Sequence, residues 1–195
     1  MADEELKILV IDDNPVRAAV IEAGLREAGH QRIVILADMR GLLRQIVDAE
    51  PDVLIIDLEN PNRDVLDEMF QVSRTVPRPV AMFVDQSDRS SIEAAMDAGV
   101  SAYVVDGLRK ERVKTILDMA ISRFNAYRRL KDELNRTKQA LEDRKVIERA
   151  KGILMKSKGL SEEAAHALLR TAAMNESRRV AEVAQSLVTA AKLLG

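Results

Sequence analysis

The chain has no cysteine and no tryptophan, and its 195 residues include only two tyrosines and three phenylalanines. Without cysteine there is no disulfide framework and no thiolate site for zinc or an iron–sulfur cluster. Long hydrophobic runs are also absent, because the apolar runs, such as residues 8–11 and 53–56, have the length of a strand and not of a membrane span. The acidic residues after the first methionine argue against a secretory signal. We therefore expect a cytoplasmic protein, and its 47% apolar content is enough for a hydrophobic core.

Charge is unevenly distributed along the chain, although the total is only −2. Residues 1–107 contain ten basic and 21 acidic side chains, a net charge of −11. Residues 108–143 carry a net charge of +4, and residues 144–195 carry +5. An acidic part followed by a basic part indicates a module joined to one that prefers polyanions. The alternative is that surface charge varies along the chain without functional meaning.

In the acidic part, short runs of Val, Ile and Leu alternate with segments of helical period. The predicted strands are residues 6–11, 33–36, 53–57, 79–84 and 102–105, and the predicted helices are residues 16–28, 39–49, 63–74 and 89–98. Nearly continuous apolar strands separated by helices predict a parallel sheet covered on both faces. We expect residues 1–107 to form an α/β domain with a five-stranded doubly wound parallel sheet.

Carboxylates come at the ends of two of the predicted strands. Asp12 and Asp13 follow the first strand, and Asp57 ends the third. Because ligands of such sheets bind beyond the carboxyl ends of the strands, the three side chains should form one acidic pocket. Carboxylate oxygens suit Mg²⁺, and a metal there would let Asp57 attack a phosphoryl donor. A single Asp after a strand is more often a turn residue or a helix cap, so the combination carries the signal.

Three runs in this part, residues 11–14, 54–58 and 98–103, resemble the motifs of response-regulator receiver domains. The resemblance covers residues 5–108 and implies a flavodoxin-like fold. It also implies that Asp57 is the phosphoacceptor and that Asp12 and Asp13 bind Mg²⁺. Tyr103 takes the position of the switch aromatic.

Two switch positions depart from the receiver pattern. Val84 stands where the family has a Thr or Ser hydroxyl, and Asp106 stands where it has a Lys. Val cannot bond a phosphoryl oxygen, and Asp106 would repel the added negative charge. A shifted alignment offers Ser87 or Lys110 instead, but neither spacing fits well. We therefore expect phosphorylation of Asp57 not to be the switch, and the pocket to serve as structure, as a metal site or as a surface controlled by a partner.

Residues 108–151 contain neither Gly nor Pro over 44 positions, which predicts one long helix. Nine positions spaced by three and four form a heptad-like seam: Val113, Ile116, Ala120, Arg123, Tyr127, Leu130, Leu134, Thr137 and Leu141. We expect the helix to pack on the sheet as far as about residue 124. The linker as a whole spans residues 108–143. Its remaining part, after about residue 124, should project as a coiled coil that forms a homodimer. The alternative is a single solvated helix.

Residues 144–195 contain no aromatic residue and no Pro, and apolar residues recur with helical period in 145–157, 162–174 and 178–193. These segments predict an all-α three-helix domain. Gly159 ends its first helix, and Ser161 caps the second. Met155 and Met174 have the spacing of core residues.

Basic residues are concentrated in this last part and make it a candidate nucleic-acid interface. The RNA-binding candidates are Arg144, Lys145, Arg149, Lys151, Gly152, Lys156, Lys158, Arg178 and Arg179. Basic clusters are usually just solvated faces, and the lack of aromatics argues against base stacking on single strands. Gly inside a helix costs about 1 kcal/mol relative to Ala, so Gly152 predicts close approach by another helix or by RNA.

Residues 143–155, 159–164, 172–175 and 178–184 resemble the ANTAR domain, and this resemblance covers residues 135–192. Together with the receiver and the long helix, the chain resembles the NasT-like (AmiR/NasR-type) transcription antiterminators. The resemblance implies a non-enzymatic protein that binds stem-loops of leader RNA and controls nitrate/nitrite assimilation genes. It also implies control by a NasS-like nitrate sensor protein, with no membrane and no required cofactor. Mg²⁺ is the candidate ion of the acidic pocket.

A different function remains open from the residues alone. The second and third helices of the last part could act as a helix-turn-helix on duplex DNA. The chain would then be a DNA-binding two-component response regulator switched by phosphorylation of Asp57.

Overall fold

The computed structural model describes residues 5–59 and 61–194, which contain five strands and seven helices. The strands are β1 (Ile8–Ile11), β2 (Ile33–Leu36), β3 (Val53–Leu58), β4 (Val80–Val84) and β5 (Ala102–Val105). The helices are α1 (Pro15–Glu27), α2 (Leu42–Ala49), α3 (Arg63–Thr75), α4 (Arg89–Asp97), α5 (Lys110–Lys158), α6 (Glu162–Asn175) and α7 (Val180–Leu194). No helix in these ranges is both long enough and apolar enough to cross a bilayer.

The five strands form one parallel sheet with the order β2-β1-β3-β4-β5. Each strand follows the one before it in sequence through a helix, as parallel pairing requires. The strand order reverses between β1 and β3, and ligand sites of doubly wound sheets lie beyond the strand ends at such a switch point. The predicted α/β class and five-stranded parallel sheet are therefore confirmed.

The sheet has a hydrophobic core on each face, because the apolar side chains of each strand point alternately to the two faces. Leu9 and Ile11 of β1 pack on one face with residues of α2, α3 and α4. Ile8 and Val10 pack on the other face with residues of α1 and the beginning of α5. Successive side chains of a strand point to opposite faces, so both cores come from the same apolar runs.

Helix α5 is continuous over 49 residues, and the chain divides into two compact units after Arg128. In the first unit, Val113, Leu117 and Ala120 of α5 are buried against the sheet, as predicted. Gly24 of α1 lies close to this part of α5, because a Cβ atom at Gly24 would be 2.7 Å from the carbonyl oxygen of Lys110. The domain boundaries after residues 107 and 143 stay predictions.

In the second unit, the end of α5 packs with α6 and α7 around small and aliphatic side chains. The buried residues of this core are Ala150, Leu154, Ala165, Leu169, Ala173, Val183, Ala184 and Val188. Ser161 caps α6 by accepting a hydrogen bond from the backbone N–H of Ala164 at 3.2 Å. Gly159 follows α5 with a φ of +66°, a left-handed conformation that glycine adopts without strain.

The prediction that Met155 and Met174 belong to the core is wrong. Met174 is 72% exposed and Met155 is 39% exposed. Leu169 and Ala173 are four residues apart and define the buried face of α6, so the next residue, Met174, is turned about 100° away from it.

Candidate functional site

The predicted acidic pocket lies at the carboxyl ends of β1 and β3. Asp12 follows β1 and is 2% exposed, and Asp57 lies near the end of β3 and is 1% exposed. Asp13 is exposed. Within residues 5–59 and 61–194, no group of three or more His, Cys, Asp or Glu side chains is arranged to hold a metal ion. The structure thus buries two of the three predicted carboxylates and leaves the third in solvent.

A guanidinium group is bound to the buried Asp57. Nε and Nη2 of Arg17 each donate a hydrogen bond of 2.7 Å to a different carboxylate oxygen of Asp57. Nη1 of Arg17 donates to Asp85 at 2.8 Å. The hydrogen bonds to Asp57 raise the pKa of Arg17 above its ordinary value, so this side chain stays charged. A Mg²⁺ ion on these oxygens would lie beside the positive guanidinium group, so the carboxylates as arranged do not suit Mg²⁺.

Asp12 is the most perturbed carboxyl group of the pocket. Its Oδ1 accepts a hydrogen bond of 2.8 Å from the backbone N–H of Asn14. Its Oδ2 is buried and has no hydrogen-bond partner in the described part of the chain. Burial, opposed by the Asn14 hydrogen bond and reinforced by the neighbouring charge of Asp57, raises the pKa of Asp12 from 3.8 to about 6.

The two atypical switch positions lie side by side at this edge of the sheet. Val84 is the last residue of β4 and is buried, so the pocket gains no hydroxyl group from this position. Asp106 follows β5, is exposed, has a φ of +48°, and donates its N–H to the carbonyl oxygen of Val84 at 2.9 Å. Asp is among the residues that tolerate this left-handed conformation.

The other candidate switch residues are engaged elsewhere. Tyr103 in β5 is half-buried, and its hydroxyl oxygen lies 3.0 Å from Oγ of Ser87. Lys110 forms an ion pair with Glu27 of α1. Ser87 is thus bound to the predicted switch aromatic and Lys110 to a helix, so neither takes over the role missing at Val84 or Asp106.

In the second unit, four predicted residues form a narrow stripe on α5. Lys145, Arg149, Gly152 and Lys156 are spaced by four, three and four residues, which places them on one side of a helix. The three basic side chains are exposed. Ala150 and Leu154 lie on the opposite side of the helix and are buried in the core of the unit. We call these four residues the basic stripe.

Comparison with known families accounts for both units. Residues 8–118 match the response regulator receiver domain, and residues 135–188 match the ANTAR domain. The chain belongs to the ANTAR response regulators. The receiver match covers more than half of the chain, and the nitrate regulatory protein described below supports the NasT-like type.

Individual proteins similar to this response regulator agree with the assignment. The transcriptional regulatory protein PdtaR of Mycobacterium tuberculosis is 29% identical over 180 residues, which cover 91% of this chain and 88% of the relative. A nitrate regulatory protein of Klebsiella oxytoca is 38% identical over 76 residues, or 39% of this chain and 19% of that protein. The structure of the receiver domain of a modulated diguanylate cyclase from Desulfovibrio desulfuricans aligns with this chain with a TM-score of 0.52 and 16% identity. The alignment covers 62% of this chain and 96% of that chain, and it supports the fold.

Within the ANTAR domain, Lys151 lies in a different environment from the basic stripe. It is 7% exposed, and its Nζ forms ion pairs of 2.7 Å with Glu148 and 2.6 Å with Glu162. These contacts join the end of α5 to the beginning of α6. Lys151 is therefore placed to stabilise the ANTAR fold, and its charge is already compensated.

The two arginines before α7 also have partners within the ANTAR domain. Arg178 pairs with Glu176 at 2.8 Å and donates to Oγ of Ser186 at 3.0 Å. Arg179 donates to Glu182 at 2.9 Å. Both side chains stay exposed, but an incoming phosphate would have to compete with these acidic groups.

Three of the remaining ANTAR candidates are open to solvent or to a ligand. Arg144 and Lys158 are exposed, and Arg144 lines an open cleft of about 980 Å³ next to the beginning of α6. Apart from the nearby backbone of its own helix, a Cβ atom at Gly152 would meet no described atom within 4 Å. The expectation that another helix packs closely on Gly152 is therefore wrong within this chain.

Sequence reasoning missed Arg17 and Asp85 in the receiver. Arg17 lies in the first turn of α1, whose cap residue Asn14 accepts hydrogen bonds from the backbone N–H groups of Val16 and Arg17. The sequence did contain a signal for Arg17, because this arginine follows shortly after Asp12 and Asp13. The predicted pocket at this edge of the sheet had several negative charges and no positive charge to balance them. Its partner, 40 residues away, could not be read from local spacing.

Proposed function

We propose that this ANTAR response regulator is an RNA-binding transcription antiterminator. It binds stem-loops in nascent leader RNA and prevents terminator formation. The basic stripe supports this function most directly, because it lies opposite the buried face of α5. Neither Arg149 nor Lys156 forms a salt bridge with any described residue, so both charges are available to phosphates.

The stripe suits the backbone of folded RNA better than exposed bases. It extends about 16 Å along the helix at 1.5 Å per residue. Gly152 lies in its middle, and with no side chain there the helix backbone can approach a phosphate closely. Because residues 144–195 contain no aromatic residue, bases cannot stack on aromatic rings here. Recognition would then depend on the shape and backbone of a hairpin, with few contacts to base edges.

Control by a partner protein fits the receiver better than control by phosphorylation. The pocket lacks the hydroxyl and the Lys that the receiver resemblance implies, since Val84 and Asp106 take their places. The similar Klebsiella oxytoca protein is named a nitrate regulatory protein. We therefore propose a role in nitrate/nitrite assimilation, with a NasS-like nitrate sensor protein as the partner that sequesters this chain.

Self-association would bring two ANTAR domains to paired stem-loops. In the second unit, Leu130, Leu134 and Leu141 of α5 are all more than half exposed. Their spacings of four and seven residues place them on one side of the helix, the arrangement of a coiled-coil seam. The occupant of this seam is a second copy of the chain, which forms a homodimer.

RNA binding is tested by gel shift with a leader RNA that contains two tandem hairpins, using the full chain. Arg149→Gln and Lys156→Gln should each weaken binding and lower the salt slope of log K by about one. Arg89→Gln is the matched control, since it removes one exposed positive charge from the receiver helix α4. This control should leave the affinity unchanged.

Competing nucleic acids separate this function from its alternative. Equal affinity for scrambled hairpins would contradict recognition of folded leader RNA. Preference for duplex DNA would instead support the helix-turn-helix reading of α6 and α7. If Arg149→Gln and Lys156→Gln bind as tightly as the unmodified chain, the basic stripe is not the interface.

A further inference from the structure

Arg17 makes three hydrogen bonds that the receiver resemblance does not account for. Two of its nitrogens bind the two oxygens of Asp57, and the third binds Asp85. The planar guanidinium matches a carboxylate in this two-pronged geometry, which is the strongest common form of the Arg–carboxylate pair. The Asp57 side chain is fully buried, so no water competes for it.

The backbone around Arg17 holds the side chain in this place. Asp12 accepts from the N–H of Asn14, and Asn14 in turn accepts from the N–H groups of Val16 and Arg17. These bonds connect the end of β1 to the first turn of α1. The arginine therefore starts from a fixed position beside the pocket, which reduces the entropy lost when its side chain binds Asp57.

We propose that Arg17 is the resident cation of the acidic pocket and keeps both a divalent cation and a phosphoryl group away from Asp57. A divalent cation on Asp57 would share both carboxylate oxygens with Arg17 and would lie next to a like charge. Attack by Asp57 on a phosphoryl donor is weakened for a related reason, because both oxygens already accept a charge-assisted hydrogen bond. Val84 and Asp106 supply neither a hydroxyl nor a positive charge to hold a phosphoryl group there.

The position of Asp85 supports the same assignment. It follows β4 directly, and its carboxylate binds the one Arg17 nitrogen that points away from Asp57. One positive charge thus bridges two negative ones at the edge of the sheet. Because all of these residues lie in the first unit, the inference does not depend on RNA binding.

Calorimetric titration of the full chain with MgCl₂ tests the proposal. The unmodified chain should bind Mg²⁺ only weakly, and Arg17→Gln should bind it at least about tenfold more tightly, the worth of one charge-assisted hydrogen bond. Arg17→Lys keeps the charge but not the two-pronged geometry, and it should fall between them. Arg26→Gln, which removes an exposed arginine paired with Glu22 on the same helix, is the control and should behave like the unmodified chain.

A second measurement uses a small phosphodonor with Mg²⁺ and intact-mass spectrometry. The unmodified chain should gain no phosphoryl group. Phosphorylation of Asp57 in the unmodified chain would overturn the proposal, as would Mg²⁺ binding equal to that of Arg17→Gln. If neither Arg17 variant gains Mg²⁺ binding, Arg17 is not what excludes the cation. If circular dichroism shows that Arg17→Gln is unfolded, Mg²⁺ binding is compared between the unmodified chain and Arg17→Lys instead.

Discussion

Replacing Gly152 by Ala should change stability and RNA affinity in opposite directions. Gly152 lies inside α5, and the added Cβ would meet no described atom within 4 Å apart from the nearby backbone of its own helix. Substitution therefore removes the conformational cost of a helical glycine without any clash. The same methyl group would stand between the helix backbone and an RNA phosphate on the basic stripe.

The stability gain follows from helix propensity. Ala is favoured over Gly in a helix interior by about 0.8–1.0 kcal/mol. For a unit of this size, about 1 kcal/mol raises Tm by roughly 4–8 °C. Gly24 of α1 provides the contrast, because its Cβ would lie 2.7 Å from the Lys110 carbonyl oxygen and 3.0 Å from Val113. Gly24→Ala should therefore destabilise the receiver by about 1–3 kcal/mol through overpacking.

Two assays measure the two effects on the same preparations. Urea unfolding followed by circular dichroism gives the free energy of unfolding, and gel shift with the tandem-hairpin RNA gives the affinity. Gly152→Ala is expected to weaken RNA binding about tenfold, equivalent to 1.4 kcal/mol. Gly24→Ala should leave the affinity of the folded protein unchanged, because Gly24 lies in the receiver.

The effects on stability and on RNA affinity can fail independently. If Gly152→Ala unfolds at lower urea than the unmodified chain, another group fills the space around Gly152 and the expected gain in helix stability is wrong. If the variant is more stable but binds RNA with unchanged affinity, the stripe does not contact RNA at Gly152, and the glycine has another role.

Two further predictions concern the pocket and the seam. Burial, with the neighbouring charge of Asp57, raises the pKa of Asp12 from 3.8 to about 6, so ionisation of Asp12 costs stability as pH rises between these values. Asp12→Asn should therefore raise the free energy of unfolding, measured in urea, by on the order of 2 kcal/mol near pH 7 and by much less near pH 4. An equal gain at both pH values would contradict the burial argument. Leu134→Glu should shift sedimentation equilibrium towards monomer, whereas Val47→Glu, at an exposed apolar position of α2, should not. A dimer unaffected by Leu134→Glu would exclude the seam.

Most of the fold could be predicted because its signals are local. The apolar runs that became β2 and β5 have the predicted bounds, residues 33–36 and 102–105. Helix ends were also local, since Gly159 and Ser161 act through their own backbone and the next turn. The exposure of Met174 was not predicted, because helical spacing shows which residues share a face but not which of two faces is covered.

The basic stripe also combines a feature that the sequence predicts with one that only the packing of the helices decides. Spacing alone places Lys145, Arg149 and Lys156 on one side of α5. It does not show that Lys151, two residues after Arg149, is buried between Glu148 and Glu162. That difference depends on how α6 packs against α5, and it separates charges available to a ligand from a charge that holds the fold together.

By itself, the sequence determined the order of strands and helices, the long helical stretch of residues 108–151 that contains neither Gly nor Pro, and the two family motifs. These properties depend on residues within a few positions of one another. Only the tertiary structure decided that Arg17 binds Asp57, 40 residues away, and that Asp85 shares the same cation. The carboxylates of such a pocket can bind either a metal ion or an arginine. Which of the two they bind depends on the positive group that the fold brings within hydrogen-bond distance.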